Sequence, residues 1–295
     1  MHRARKPAFI SISRRLPAPS PRRAAQRLLS TRATPVLLEY DLVRPQDDSE
    51  INKPLVILHG LFGMKRNWLS LSKAFARDLQ RPVYSLDLRN HGNSPHAKPM
   101  NYEAMAIDVL EFCASRSLTN VSLLGHSMGG KVAMAVALSP DLPPNLLNHL
   151  IVADIAPARA DLSPEFKGYV EAMQKIEEGQ VSSRKDAQDI LTPYEHDAMT
   201  RAFLLTNLDT QAKPLRFRVP LDIIGPAIRD MGWFPYAPGE RTWDGKTLFV
   251  KGNKSRYINK SNLPIMKQFF PNMALETLDT GHWGESVPDS YVSRF

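Results

Sequence analysis

The sequence predicts an α/β fold with a mainly parallel sheet, helices on both faces and one helical insertion. Short apolar runs rich in branched residues alternate with segments of helical spacing, about every 20 to 35 residues, which is typical of βαβ units. This alternation stops after residue 157 and returns near residue 247. A length of 295 residues with 43% apolar content suits one large globular domain.

The first half of the chain contains five predicted strands and three predicted helices. Each strand is a short apolar run bounded by polar residues or glycine, as in "KPLVILHG", and each helix has apolar residues three and four positions apart. The predicted strands are 36–43, 53–60, 81–88, 120–125 and 149–157, and the predicted helices are 67–79, 102–115 and 128–139.

The second half begins with a predicted cap over residues 158–242, where polar helices, prolines and aromatic residues occur without strand signals. Trp233, Phe234 and Tyr236 in this segment either line an acyl pocket or only pack. A strand at 247–253, a helix at 260–269 and a strand at 274–283 follow. The predicted organisation is a core from residues 35–157 and 243–295, with the cap inserted between the two parts.

The basic residues are concentrated at the amino terminus. Residues 1–38 contain nine Lys and Arg residues and no acid; removing those nine from 38 leaves 29 basic against 30 acidic residues. The body therefore lacks the charge of a nucleic-acid-binding protein. Residues 1–34, rich in arginine with serines, resemble a mitochondrial transit peptide in composition, with a disordered basic tail as the alternative. We expect a mitochondrial location, in the matrix.

Two further features narrow the class of protein. No apolar run approaches the roughly 20 residues of a membrane-spanning helix, so no transmembrane segment is predicted. Cys113 is the single cysteine, which excludes an intrachain disulfide and a cysteine-rich metal site.

A candidate nucleophile lies in "VSLLGHSMGGKVAM", residues 121–134. Here Ser127 stands between glycines where a buried strand gives way to a helix. This is the strand–turn–helix context of a G-x-S-x-G elbow, which lifts a serine above the sheet edge. The helix that follows offers free N–H groups and a favourable dipole for negative charge. A helix-capping serine is the alternative.

A serine nucleophile also requires donors for the developing oxyanion. The N–H of Met128 is the expected first donor. The second is expected from "LHGLFG", which follows an earlier strand, through the N–H of Leu61 or, alternatively, of Phe62. His59 is expected to hold this loop by hydrogen bonds.

The general base and its acid are predicted from chain order and strand ends. His282 follows the last strand, at the carboxyl edge where ligands bind in open sheets. The His126 side chain should project away from the site, because it adjoins the serine. Asp154 ends the strand after the nucleophile helix and is the preferred acid. The alternative acids are Asp279, beside the histidine, and Asp222, in the cap.

The sequence resembles a known family over residues 35–290. The motifs are "HGLFG", "DLRNHGNSP", "GHSMGGKVAM", "VADIAP", "FRVPLDIIG", "GNKSRYI" and "GHW". Together they resemble mitochondrial α/β-hydrolases of the abhydrolase-domain-containing protein 11 type, to which yeast ethanol acetyltransferases are related. The resemblance implies the α/β-hydrolase fold, and in the acetyltransferase branch the triad acid corresponds to Asp154.

The expected function is a mitochondrial serine hydrolase that cleaves short-acyl esters or thioesters through Ser127, His282 and Asp154. The expected partner is this small-molecule substrate, with neither nucleic acid nor a metal or organic cofactor. One alternative is an alcohol acetyltransferase that uses acetyl-CoA as a substrate, with ethanol as acceptor. Another is a non-catalytic mitochondrial scaffold on the same fold. In "DLRNHGNSP", Asp87, Arg89 and His91 are expected to brace the site entrance.

Overall fold

The computed structural model describes residues 33–45 and 53–282. The predicted leader, apart from its last two residues, and the residues after His282 lie outside this description. The strands are β1 (Tyr40–Val43), β2 (Leu55–Leu58), β3 (Val83–Leu86), β4 (Val121–His126), β5 (Leu147–Ala153), β6 (Leu208–Asp209), β7 (Arg216–Phe217), β8 (Lys246–Gly252) and β9 (Met273–Leu278). Seven of them form the main sheet in the order β1-β3-β2-β4-β5-β8-β9, with β1 antiparallel to β3 and the other neighbours parallel.

Eight α-helices surround or extend the sheet within the described residues. They are α1 (Leu69–Leu79), α2 (Tyr102–Ser115), α3 (Met128–Ala137), α4 (Pro164–Glu178), α5 (Arg184–Leu191), α6 (Ala198–Leu204), α7 (Leu221–Ala227) and α8 (Leu263–Phe269). None of these described helices combines the length and apolarity that a bilayer crossing needs. The sheet and helices confirm the predicted α/β-hydrolase fold class.

Strand β2 shows how the apolar pattern builds two layers. Successive side chains of a strand point to opposite faces. Leu55 and Ile57 therefore pack with Phe75 of α1, whereas Val56 and Leu58 face the larger core with α2 and α3. Because β2 is buried on both faces, it appears in the sequence as a continuous apolar run rather than an alternating one.

The predicted cap segment contains four helices, α4 to α7, between β5 and β8. It also contains the antiparallel pair β6 and β7, which the sequence did not indicate. Each of these strands has only two residues, too few to show a period-2 pattern. Phe234 is buried in the core, whereas Trp233 is 54% exposed.

The parallel strands bring several loops to one edge of the sheet. Strands β2, β4, β5 and β9 all point their carboxyl ends to this edge. In open α/β sheets, ligands bind at the carboxyl ends of the strands. The predicted site residues follow these four strands and are therefore brought together here.

Candidate active site

Ser127 occupies a strained turn between β4 and α3. Its φ and ψ are 52° and −116°, a combination that costs free energy for a residue with a Cβ and is frequent at functional sites. Gly125 and Gly129 make this turn possible. A Cβ on Gly125 would lie 2.2 Å from the carbonyl oxygen of Gly129, and one on Gly129 would lie 2.4 Å from that of Leu58. The two glycines let α3 start directly against the sheet.

A hydrogen-bonded chain joins Ser127, His282 and Asp154. The Ser127 hydroxyl lies 3.0 Å from Nε2 of His282, and Nδ1 of His282 lies 2.7 Å from Oδ2 of Asp154. Since an ionised carboxylate only accepts, Nδ1 carries the proton and Nε2 is left to accept from the hydroxyl. The three predicted side chains, from the ends of β4, β5 and β9, thus meet in the order that nucleophilic catalysis requires.

Asp154 is held in place by β8, the strand that lies between β5 and β9 in the sheet. Its main-chain N–H donates to the Val250 carbonyl over 2.8 Å, and its Oδ1 accepts from the Gly252 N–H over 3.1 Å. Burial alone would raise the pKa of Asp154. Hydrogen bonds from His282 and Ser255 outweigh it and hold the pKa below its usual value. The side chain is therefore a carboxylate at neutral pH.

The two alternative acids lie elsewhere. Asp279 is exposed and binds Asn253 and Lys254 rather than His282. Asp222 is an exposed residue in the first turn of α7. Of the three carboxylates considered from the sequence, only Asp154 has a hydrogen bond to the histidine.

The loop after β2 is arranged by two buried histidines. The N–H of Phe62, which has φ of 61°, donates to Nε2 of His91 over 3.2 Å. Because this bond uses the Phe62 N–H, it favours the Leu61 N–H as the second oxyanion donor. His59 accepts the Leu88 N–H at Nε2 and donates to the Gly60 carbonyl at Nδ1, which is the holding role expected from the sequence.

Neutral imidazoles suit these roles, because each ring must both donate and accept. Burial lowers the pKa of His59, and burial together with the neighbouring His59 lowers the pKa of His91 to about 3. Both rings therefore stay uncharged at physiological pH. The cap adds a further restraint, since the Asn207 side-chain amide donates to the Phe62 carbonyl over 2.7 Å.

The residues of "DLRNHGNSP" form the expected bracing contacts, but Asp87 and Arg89 bind different partners. Asp87 accepts from the main-chain N–H and the ammonium of Lys65 and from the N–H of Asn93. Arg89 does not pair with Asp87. Its guanidinium forms a two-point bond to Asp108 of α2, at 2.6 and 2.7 Å, and both side chains are fully buried.

His126 is the site residue that the sequence reasoning missed. The prediction that its side chain projects away from the site is wrong. Its Nε2 lies 2.9 Å from the main-chain carbonyl oxygen of His282, and the two rings are 5.2 Å apart. Burial is the main cause that lowers the pKa of His126 to about 4, so a neutral ring donates to that carbonyl. The missing Cβ of Gly60 leaves room for it, since a Cβ there would lie 3.1 Å from Nδ1.

A narrow cavity adjoins Ser127. Its volume is about 20 Å³, and one water needs roughly 10–15 Å³. Trp233, Phe234 and Tyr236 do not line it. The lining residues are Leu61, Tyr102, Ser127, Met128, Lys131, Ile155, Leu162, Phe166, Met231 and Tyr257. The two residues expected to supply the oxyanion donors, Met128 and Leu61, thus line the same cavity as Ser127.

Comparison with known proteins places this arrangement in a family. Residues 53–284, most of the chain, match the family model described as the alpha/beta hydrolase fold. The chain belongs to the alpha/beta hydrolase family. A solved structure titled marine microorganism esterase matches this hydrolase with a TM-score of 0.77 and 33% sequence identity, over 88% of this chain and 98% of the other.

Two curated relatives of this hydrolase carry names that describe an activity. The sn-1-specific diacylglycerol lipase ABHD11 of Xenopus laevis is 40% identical over 260 residues, 86% of this chain and 81% of the relative. A probable alcohol acetyltransferase of Saccharomyces cerevisiae is 34% identical, over 87% of this chain and 81% of the relative. These matches confirm the resemblance to the abhydrolase-domain-containing protein 11 type and to yeast acetyltransferases. Together with the family match, they support an ester-hydrolysing enzyme.

Proposed function

We propose that this protein is a serine hydrolase that cleaves short-acyl esters or thioesters through an acyl-enzyme on Ser127. The observation that carries this proposal is the continuous hydrogen-bonded chain from the Ser127 hydroxyl through His282 to Asp154. A serine hydroxyl is a weak nucleophile until a base removes its proton. This series of hydrogen bonds supplies that base, in the required tautomer, beside the narrow cavity that Ser127 lines.

In the proposed acylation, Nε2 of His282 takes the Ser127 proton while Oγ attacks the acyl carbonyl carbon. The N–H groups of Met128 and Leu61 donate to the resulting oxyanion. The tetrahedral intermediate then breaks its C–O or C–S bond, and the leaving alcohol or thiol receives the proton from His282. Asp154 stabilises the imidazolium that exists between the two transfers.

Deacylation repeats these steps with water. His282 takes a proton from the water as its oxygen attacks the acyl-serine carbonyl. Collapse of the second tetrahedral intermediate releases the carboxylic acid and returns the proton to Ser127. No step requires a metal ion or an organic cofactor.

The narrow cavity supports a short acyl group. It has space for little more than one water, and its wall includes the buried side chains of Phe166 and Met231. A series of p-nitrophenyl esters with acyl chains of two to eight carbons tests this proposal. We expect kcat/KM to be highest for the two- and three-carbon esters, and a maximum at eight carbons would contradict the short-acyl assignment.

An alcohol acetyltransferase is the second candidate, and the relative from Saccharomyces cerevisiae with that name supports it. The same acyl-enzyme would then be resolved by an alcohol instead of water. Incubation of the purified protein with acetyl-CoA, with and without ethanol, separates the two functions. Ethyl acetate formed in preference to acetate would establish the transferase, whereas free acetate alone would reject it.

We also propose that the protein acts in mitochondria. The composition of residues 1–34, with arginines, serines and no acid, supports import by a transit peptide. A fluorescent reporter fused behind residues 1–35 should colocalise with mitochondria. A reporter that stays in the cytosol would reject the location without affecting the chemistry.

We expect replacement of His126 by phenylalanine to lower kcat roughly 10- to 100-fold, because small displacements of catalytic groups have effects of this size. The variant keeps a ring against Gly60 but cannot donate to the His282 carbonyl. His126→Gln retains an N–H donor and should recover most of kcat. Steady-state kinetics with p-nitrophenyl acetate checks both. Equal activity of the phenylalanine variant and the wild type would exclude this positioning role.

A further inference from the structure

Lys131 is a buried cation that the proposed mechanism does not use. It belongs to α3, four positions after Ser127 in the chain, and both residues line the narrow cavity. It is only 4% exposed. Burying an ammonium is costly unless its donors are satisfied, so its surroundings must provide acceptors.

Those acceptors are main-chain carbonyls from two segments that cover the cavity. The ammonium donates to the carbonyls of Gly232 at 2.8 Å, Ala158 at 3.2 Å and Met231 at 3.5 Å. Ala158 follows β5, whereas Met231 and Gly232 belong to a short turn of the cap. Because an ammonium has three N–H donors, this set of carbonyls uses all of them.

Tyr102 of α2 reinforces the same contact. Its hydroxyl donates to the Met231 carbonyl over 2.6 Å, and its ring lies 5.5 Å from the Lys131 ammonium. Burial raises the pKa of Tyr102, so the phenol keeps its proton and remains a donor. Two side chains from the core thus hold one turn of the cap.

The two covering segments are packed without spare room. The Ala160 N–H donates to the Gly232 carbonyl over 3.2 Å, and a Cβ on Gly232 would lie 2.1 Å from the Ala160 carbonyl oxygen. Lys131, Tyr102 and Met231 all line the cavity that contains Ser127. The contact between core and cap therefore forms part of the wall of this cavity.

We propose that Lys131 and Tyr102 clamp the turn Asp230–Gly232 of the cap and thereby restrict the acyl group to two or three carbons. This inference rests on the proposed serine hydrolase function and identifies what sets its acyl length. Since the carbonyls occupy the three donors of Lys131, the ammonium does not serve to bind a carboxylated acyl chain. Burial lowers the pKa of Lys131 to about 8, so the charged, three-donor form dominates at neutral pH.

The test compares acyl selectivity in Lys131→Met and Tyr102→Phe. Methionine is similar in length and has no donor, so the turn should move and admit longer chains. We expect the ratio of kcat/KM for the hexanoyl ester to that for the acetyl ester to rise at least about tenfold in Lys131→Met, since one methylene group in an apolar pocket changes kcat/KM by about 10- to 200-fold. A smaller rise in the same direction is expected in Tyr102→Phe. Lys267→Met, at an exposed position of α8, is the matched control and should leave the ratio unchanged.

Hydrogen–deuterium exchange of the peptide 228–234 provides a readout that does not depend on activity. Exchange should be faster in Lys131→Met than in the wild type and in Lys267→Met. If Lys131→Met does not fold, Tyr102→Phe serves as the test of the clamp. A higher ratio of hexanoyl to acetyl kcat/KM together with faster exchange in that variant supports the clamp. An unchanged ratio or unchanged exchange in the folded variants overturns it. If the wild type shows no hydrolysis that depends on Ser127, the proposed function is refuted. The hydrogen–deuterium exchange rates of the variants and the wild type then decide alone whether the clamp exists.

Discussion

Replacement of Ser127 by alanine is expected to lower kcat for p-nitrophenyl acetate by about 10⁴-fold or more, as in other serine triads. The variant removes the attacking oxygen, while Asp154 and His282 keep their mutual hydrogen bond. Steady-state kinetics on the purified variant checks this result. The expected loss is large because the remaining groups can only polarise the substrate for direct attack by water.

The companion variants test whether the three residues act as a unit. His282→Gln should lower kcat about as much as Ser127→Ala. The double variant should be no slower than either single variant, because loss of one residue already disables the mechanism that needs the other. Multiplication of the two losses in the double variant would show that the residues contribute independently and would contradict the shared mechanism. Circular dichroism of each variant confirms that the fold is retained.

Replacement of Asp108 by alanine is expected to reduce the free energy of unfolding by about 3–5 kcal/mol, because it leaves the buried guanidinium of Arg89 without its charged partner. Both side chains are fully buried, and Asp108 also accepts the Val36 N–H over 2.8 Å. Domains are commonly stable by only about 5–15 kcal/mol, so this variant should be close to unfolding. Urea denaturation measures the loss.

The matched control for this ion pair is the exposed pair Lys185 and Asp189 on α5. Exposed pairs contribute little to stability because water already solvates both charges. Asp189→Ala should therefore unfold at the same urea concentration as the wild type. Equal midpoints for Asp108→Ala and Asp189→Ala would show that the buried pair does not stabilise the fold.

The parts of the site that could be predicted from the sequence are those determined by local pattern and strand order. Ser127 was identifiable because an elbow needs glycines at fixed positions within a strand–turn–helix segment. His282 and Asp154 followed from the rule that parallel strands bring their carboxyl ends to one edge. The sheet could be predicted for the same reason, since strands buried on both faces appear as continuous apolar runs.

The contacts that the sequence did not predict involve main-chain carbonyl groups as acceptors. His126 and Lys131 both donate to main-chain carbonyls, of His282 and Gly232 respectively, and every residue has such a carbonyl. Their partners are 156 and 101 positions away, so no local pattern indicates them. The partner of Arg89 also depends on tertiary packing, because α2 brings the Asp108 carboxylate within 2.6 Å of the guanidinium.

The most direct test of the central claim is to locate the site of covalent labelling by a fluorophosphonate probe with peptide mass spectrometry. We expect a single adduct on Ser127 in the wild type, and much slower labelling in Asp154→Asn, because the amide cannot hold the imidazole in the required tautomer. An adduct on any other residue, or equal labelling rates for Asp154→Asn and the wild type, would contradict a nucleophile activated by His282 and Asp154.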